Sequence, residues 1–189
     1  MDKGSAHTFV NGDFRVNPPP ADTTLMIADP VYNTKMVHDI IDLAISRNMP
    51  SCIFMYPEDL VGLTNRPHQL GYWVKPVSTK NSSRHYSRFV EAITFWFVKF
   101  HKELHWSNRT GIFTDCLISN AEHQWKKPES LIERLILNHY PGYGTVYDPC
   151  AGSKTVETVC RRLGIPSFSV EIAIPATRQD AEEPDLFNA

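Results

Sequence analysis

Residues 146–164, VYDPCAGSKTVETVCRRLG, and the run SVEI at 169–172 carry the pattern on which the fold turns. Two short apolar strands flank a small-residue turn, D-P-C-A-G-S-K-T, and a helix over 155–163 that Gly164 stops. Strand, turn, helix and strand form a βαβ unit, which predicts parallel strands in an open sheet. Ligands in such sheets sit at the carboxyl ends of the strands, where a helix N-terminus and unhindered backbone face them. Ala151, Gly152 and Ser153 allow that close approach. Glu171, nineteen residues past Gly152 at the end of the next strand, is placed to accept two ribose hydroxyls. The turn therefore suits a nucleoside-containing cofactor, although small residues here also serve plain tight connections. A phosphate-binding loop fits less well: Gly152 is followed by Ser, and the required earlier glycine is missing.

A second unit of the same kind lies upstream. The strand at 24–28 stops at Asp29-Pro30, a helix over 36–47 places Met36, Ile40, Leu43 and Ala44 on one face, and a strand follows at 51–56. In the intervening segment, IADPVYN at 27–33, the Asp29 carboxylate and the Pro30 carbonyl can each accept a hydrogen bond from an amino group. The face of Tyr32 can stack on a flat ring. An Asp-Pro turn beside a core tyrosine would read the same way. Residues 69–75 and 91–98 are apolar, aromatic strands around a polar loop, which predicts an antiparallel pair. A short strand at 7–10 ends in the turn Asn11-Gly12-Asp13. The helix over 128–140 opens on Pro128 and Glu129 and carries Leu131, Ile132, Leu135 and Ile136 as its apolar stripe. The alternation predicts an α/β domain.

Composition narrows the function classes. At 189 residues and 42% hydrophobic the chain supports one domain, and its formal charge of −2 suggests no polyanion partner. There is no apolar run long enough to span a membrane, and the polar start MDKGSAHTFVNGDF is not expected to act as a secretory signal. Cys52, Cys116, Cys150 and Cys160 contain no C-x-x-C pair, so no metal site is expected, and reduced thiols point to the cytoplasm. The mean charge hides a bias. Between residues 75 and 109, Lys75, Lys80, Arg84, Arg88, Lys99, Lys102 and Arg109 face only Glu91 and Glu103, a balance of +5 that leaves −7 elsewhere. Interleaved aromatics suit phosphate neutralisation and base stacking, and equally a solvated loop running into a buried strand. The acidic residues 178–189 lack apolar periodicity and are expected to form a flexible tail from 175 onward.

Taken together, in this order, the two turns resemble those of the permuted, or β-class, amino-methyltransferases that methylate exocyclic nitrogens of DNA bases. That family has a D-P-P-Y motif first, then a K-P dipeptide opening a helix, then D-P-F-x-G-S-G-T. The matching segments are IADPVYN at 27–33, KKPESLIERLI at 126–136 and VYDPCAGSKTVETVCRRLG at 146–164, with WVKP at 73–76 and FVEAITFWF at 89–97 between them. The resemblance implies a Rossmann-like methyltransferase fold over residues 1–174: an open, mostly parallel seven-stranded sheet with an antiparallel edge pair and helices on both faces. It implies S-adenosylmethionine as cofactor, with Asp148, Ala151, Gly152 and Ser153 at its methionine and ribose end and Glu171 on the ribose. Lys127 and Pro128 would stand on the cofactor side, and Asp13 would face the adenine ring. Asp29, Pro30 and Tyr32 would be catalytic, with Asp29 favouring adenine-N6 over cytosine-N4. Lys75, Lys80, Arg84 and Arg88 would face DNA.

The chain departs from the pattern at Val31, Cys150 and Lys154, which replace a proline, an aromatic and a glycine. Little chain is left for a separate target-recognition domain, which points to low specificity, a homodimer or a specificity-giving partner subunit. Two other readings fit the same residues: a catalytically impaired relative serving as a structural subunit, and an enzyme acting on cytosine-N4, RNA or protein amide nitrogen.

Overall fold

Strands that are apolar at every position need cover on both faces, and here helices supply it. The computed structural model describes residues 6–30, 34–75, 89–101, 110–116 and 126–172. The elements are β1 (His7–Asn11), β2 (Thr23–Ala28), α1 (Thr34–Ser46), β3 (Ser51–Met55), β4 (Gln69–Val74), β5 (Val90–Trp96), β6 (Ile112–Phe113), α2 (Glu129–His139), β7 (Thr145–Asp148), α3 (Thr155–Leu163) and β8 (Ser167–Glu171). A 3₁₀ turn over Pro57–Gly62 follows β3.

The strands form one eight-stranded sheet in the order β1-β8-β7-β2-β3-β5-β4-β6. Pairing is parallel except on both sides of β5, which runs antiparallel to β3 and to β4. Side chains alternate along each strand, so β2 sends Leu25 and Ile27 to one core and Met26 and Ala28 to the other. β3 divides Cys52 and Phe54 from Ile53 and Met55 in the same way. The first core closes against Leu131, Ile132, Leu135 and Ile136 of α2 and Val156, Val159 and Cys160 of α3. The second closes against Val37, Ile40, Ile41 and Ala44 of α1. The two layers of helix expected from the sequence are therefore present.

The sheet has one strand more than expected. β6 is two residues long and pairs with Tyr72 and Trp73, so β4 is not an edge strand. Gly71 permits this docking, because a Cβ there would lie 2.8 Å from the Gly111 carbonyl oxygen and 2.9 Å from the Phe95 ring. No helix among the described residues is long and apolar enough to cross a membrane. Residues 173–189, which hold the expected tail, lie outside the described residues.

The connections set the site. From β2 the chain passes through α1 to β3 on one side, while from β7 it passes through α3 to β8 on the other. β2 and β7 are neighbours, so the two units diverge between them and open a crevice at their carboxyl ends. Asp29 follows β2, and Asp148 ends β7.

Candidate active site

Asp29 lies at the mouth of this crevice with Pro30 buried behind it. Its two carboxylate oxygens accept hydrogen bonds from the Lys127 ammonium at 2.7 and 2.6 Å. Lys127 immediately precedes α2, where Pro128 has φ −58° and sets the chain into the helix. The same ammonium lies 3.1 Å from Glu91 Oε2, and Glu91 Oε1 is paired with Lys75 at 2.5 Å. Register explains this: Glu91 faces Trp73 across β4 and β5, and the Lys75 N–H donates to the Phe89 carbonyl at 2.7 Å, which keeps the lysine beside the strand. Four charges thus run in alternating sign, Asp29–Lys127–Glu91–Lys75. The last three side chains are 6%, 4% and 5% exposed, while Asp29 is 31% exposed and opens to the crevice.

Such a chain is tolerated inside a protein only because each charge has an opposite neighbour. The indole of Trp73 lies 5.6 Å from the Lys127 nitrogen and 5.4 Å from that of Lys75, its N–H donating to the Asp115 carbonyl at 2.9 Å. Burial alone would lower the pKa of Lys127. The carboxylates of Asp29 and Glu91 outweigh it and hold the ammonium above the usual lysine value.

The other wall is built from the β7 and β8 ends. Asp148 is buried, and its Oδ1 accepts the Cys150 N–H at 3.0 Å. Burial pushes its carboxyl up to about 8, with the charges of Asp29 and Glu171 acting in the same direction. Gly152 is exposed at φ 45°, and a Cβ there would meet only the Cys150 carbonyl at 3.8 Å, so the turn is an open cradle. Glu171 Oε2 accepts the Gly152 N–H at 2.6 Å, tying the end of β8 to this turn. Ala151 donates to the Val170 carbonyl at 2.9 Å, and the Ser153 and Thr155 hydroxyls are 2.8 Å apart. An open cradle with the Glu171 carboxylate at its edge suits a ligand with hydroxyls, and S-adenosylmethionine carries them on its ribose.

Asp13 stands on the same rim, because the Gly12 N–H donates to the Glu171 carbonyl at 2.7 Å. Its carboxylate is held by Arg15, which also grips Asp39 at 2.6 Å. Arg15 was not singled out from sequence, and neither was Glu91.

Several expectations change. Lys75 does not face DNA: it is buried and spends its charge on Glu91. The aromatics of the segments WVKP and FVEAITFWF expected to suit base stacking include Trp73, Phe95 and Trp96, and these three are core side chains instead. Lys127, expected on the cofactor side, turns its ammonium to Asp29. Lys154 adopts φ 57°, the left-handed conformation its glycine counterpart would take freely, and its ammonium lies 3.7 Å from the Phe9 ring centroid. Val31, Tyr32, Lys80, Arg84 and Arg88 lie outside the described residues.

The architecture defines a class. The chain is similar in structure to the M1.HpyAVI–SAM complex, with a TM-score of 0.64, 18% identity and coverage of 89% of this chain and 94% of that one. The PvuII DNA methyltransferase, cytosine-N4-specific, gives 0.66, 15%, 89% and 82%. A putative DNA modification methylase from Thermus thermophilus, complexed with S-adenosyl-L-methionine, gives 0.56, 16%, 90% and 89%. These likenesses establish a methyltransferase fold. Residues 67–179, more than half of the chain, match the N6/N4 family described as DNA methylase, and the chain belongs to that family. No curated protein matches it in sequence.

Proposed function

We propose that this DNA methylase transfers the methyl group of S-adenosylmethionine to the exocyclic N6 amine of adenine in DNA. The observation that carries the reading is the carboxylate of Asp29, held by Lys127 and open to the crevice across from Asp148 and Glu171. When bound, the cofactor would supply a methyl group activated on a sulfonium and leave as the thioether S-adenosylhomocysteine, the methylated nitrogen giving up one of its protons.

An exocyclic amine conjugated to its ring is a weak nucleophile. Hydrogen bonds from it to the Asp29 carboxylate and the Pro30 carbonyl draw the nitrogen toward tetrahedral geometry and orient its lone pair. The rate gain is one of positioning and electrostatics. A base within a duplex cannot enter such a crevice, so it is flipped out, with Tyr32 as the stacking surface. Glu171 takes the ribose hydroxyls, Asp148 lines the methionine and ribose end of the cofactor, and Ala151, Gly152 and Ser153 give the backbone approach. Pro128 fixes the start of α2, and Asp13 lies toward the adenine of the cofactor. Lys80, Arg84 and Arg88 neutralise DNA phosphates. A second copy or a partner subunit supplies target specificity. The aspartate that opens D-P-V-Y favours adenine over cytosine.

Calorimetric titration with S-adenosylmethionine tests the cofactor site. Binding is expected, weakened about 10-fold or more in Glu171→Ala, since hydrogen bonds to a charged group contribute about 1.5–3 kcal/mol. Absence of binding at hundreds of micromolar would leave the chain a structural relative of the enzymes.

A further inference from the structure

We infer that Glu91 and Lys75 are positioning residues for the transfer reaction: Glu91 holds the Lys127 ammonium in place against Asp29, and Lys75 sets how strongly Glu91 draws on it. The inference rests on the reading that Asp29 accepts the target amine.

A lysine ammonium has three N–H donors. Three carboxylate oxygens lie within reach of Lys127 Nζ, two on Asp29 at 2.6 and 2.7 Å and one on Glu91 at 3.1 Å. That arrangement fixes the nitrogen in space and, with it, the plane of the Asp29 carboxylate. It also sets the charge Asp29 can offer. A carboxylate clamped by an undivided ammonium is a poorer acceptor, and Glu91 shares that ammonium. Lys75 limits the sharing by neutralising Glu91 from the far side.

Ion pairs that serve only to hold a fold are replaceable by apolar side chains of similar volume. This chain of charges differs in its placement. Its three inner members are nearly sealed from water, and its outer member is the carboxylate open to the crevice. The other ionisable described groups that face Asp29 are Asp148 and Cys150 from the turn after β7. Both are untouched in the variants below.

The two inner charges act on Asp29 with opposite sign: Glu91 raises its proton affinity and Lys75 lowers it. Opposite signs give a test that a purely structural pair would not pass. The Asp29 carboxyl carbon is followed by carbon-13 NMR through a pH titration of the cofactor-free chain, its signal assigned by its loss in Asp29→Asn. Glu91→Gln moves the Asp29 midpoint down and Lys75→Met moves it up by a smaller step, because Glu91 shares Lys127 with Asp29 and Lys75 lies beyond Glu91. The double variant falls between them, and Lys75→Arg, which keeps the charge, stays at the wild-type midpoint. Lys75→Gln serves if Lys75→Met does not fold. The acid limb of the methyl-transfer kcat/KM shifts in the same order, with the KM for cofactor unchanged.

Midpoints that coincide with wild type in Glu91→Gln and Lys75→Met, or that shift in one direction in both, would overturn the inference. If Asp29→Asn retains full transfer activity, the underlying reading of Asp29 fails, and that result is separate from the order of the midpoints.

Discussion

The ammonium of Lys127 lies 2.7 and 2.6 Å from the two carboxylate oxygens of Asp29, joining residues 98 positions apart. Asp29 belongs to the turn after β2 and Lys127 to the approach to α2, so this contact fastens a helix to the centre of the sheet on the ligand side. It also fixes the one carboxylate that the proposed chemistry needs.

Stability should record this contact unequally from its two ends. Lys127→Met removes the ammonium from between two carboxylates, and breaking a fully buried pair costs about 3–5 kcal/mol. Asp29 keeps 31% exposure, so water offsets part of the loss. The expected cost is roughly 2 kcal/mol by urea denaturation. Asp29→Asn should cost less than about 1 kcal/mol, because the amide oxygen still accepts and Lys127 retains Glu91. Equal losses at the two ends would contradict the geometry.

Asp148 gives the pH dependence. Its carboxyl is raised to about 8 in the fold by burial, against an ordinary value of 3.8. Between these values the folded chain holds a proton that the unfolded chain has released. Folding stability from this group is therefore full below about pH 4, falls as pH rises, and is lost above about pH 8. Asp148→Asn should flatten that slope in denaturation curves taken from about pH 5 to 8. A slope identical to wild type would show that Asp148 is ionised throughout.

Lys154 tests strain against contact. Its left-handed φ of 57° costs a non-glycine residue roughly 1 kcal/mol, while the ammonium over Phe9 returns about 0.5–1 kcal/mol. Lys154→Ala keeps the strain and loses the contact. Lys154→Gly loses both. The glycine variant should match wild type within about 0.5 kcal/mol and exceed the alanine variant by about 1 kcal/mol in chemical denaturation. An alanine variant as stable as the glycine variant would remove the strain argument.

What could be read in advance follows from how local each signal is. The strands TLMIA and SCIFMY are apolar at successive positions, so burial on both faces was legible, as were the turns bearing Asp29 and Asp148 and the placing of Glu171 nineteen residues beyond Gly152. The charge chain was not, because it depends on the register that sets Trp73 against Glu91 and on a partner from before α2. A signal did exist: Glu91 is the lone charge in the apolar run VEAITFW, and Lys75 closes the apolar run QLGYWV. The resemblance, joined to the positive balance of residues 75–109, pointed Lys75 at DNA, but neither says which way a side chain points. β6 was missed because two residues beside Gly111 give no periodicity, and their pairing depends on the missing side chain of Gly71.

Methyl transfer to adenine through Asp29 is tested most directly by incubating the chain with tritiated S-adenosylmethionine and unmethylated DNA, then digesting the DNA to nucleosides and separating them. Label is expected in N6-methyldeoxyadenosine, and it should disappear in Asp29→Ala. Label in N4-methyldeoxycytidine, or adenine label that persists in Asp29→Ala, would contradict the proposed role of Asp29 and the choice of base.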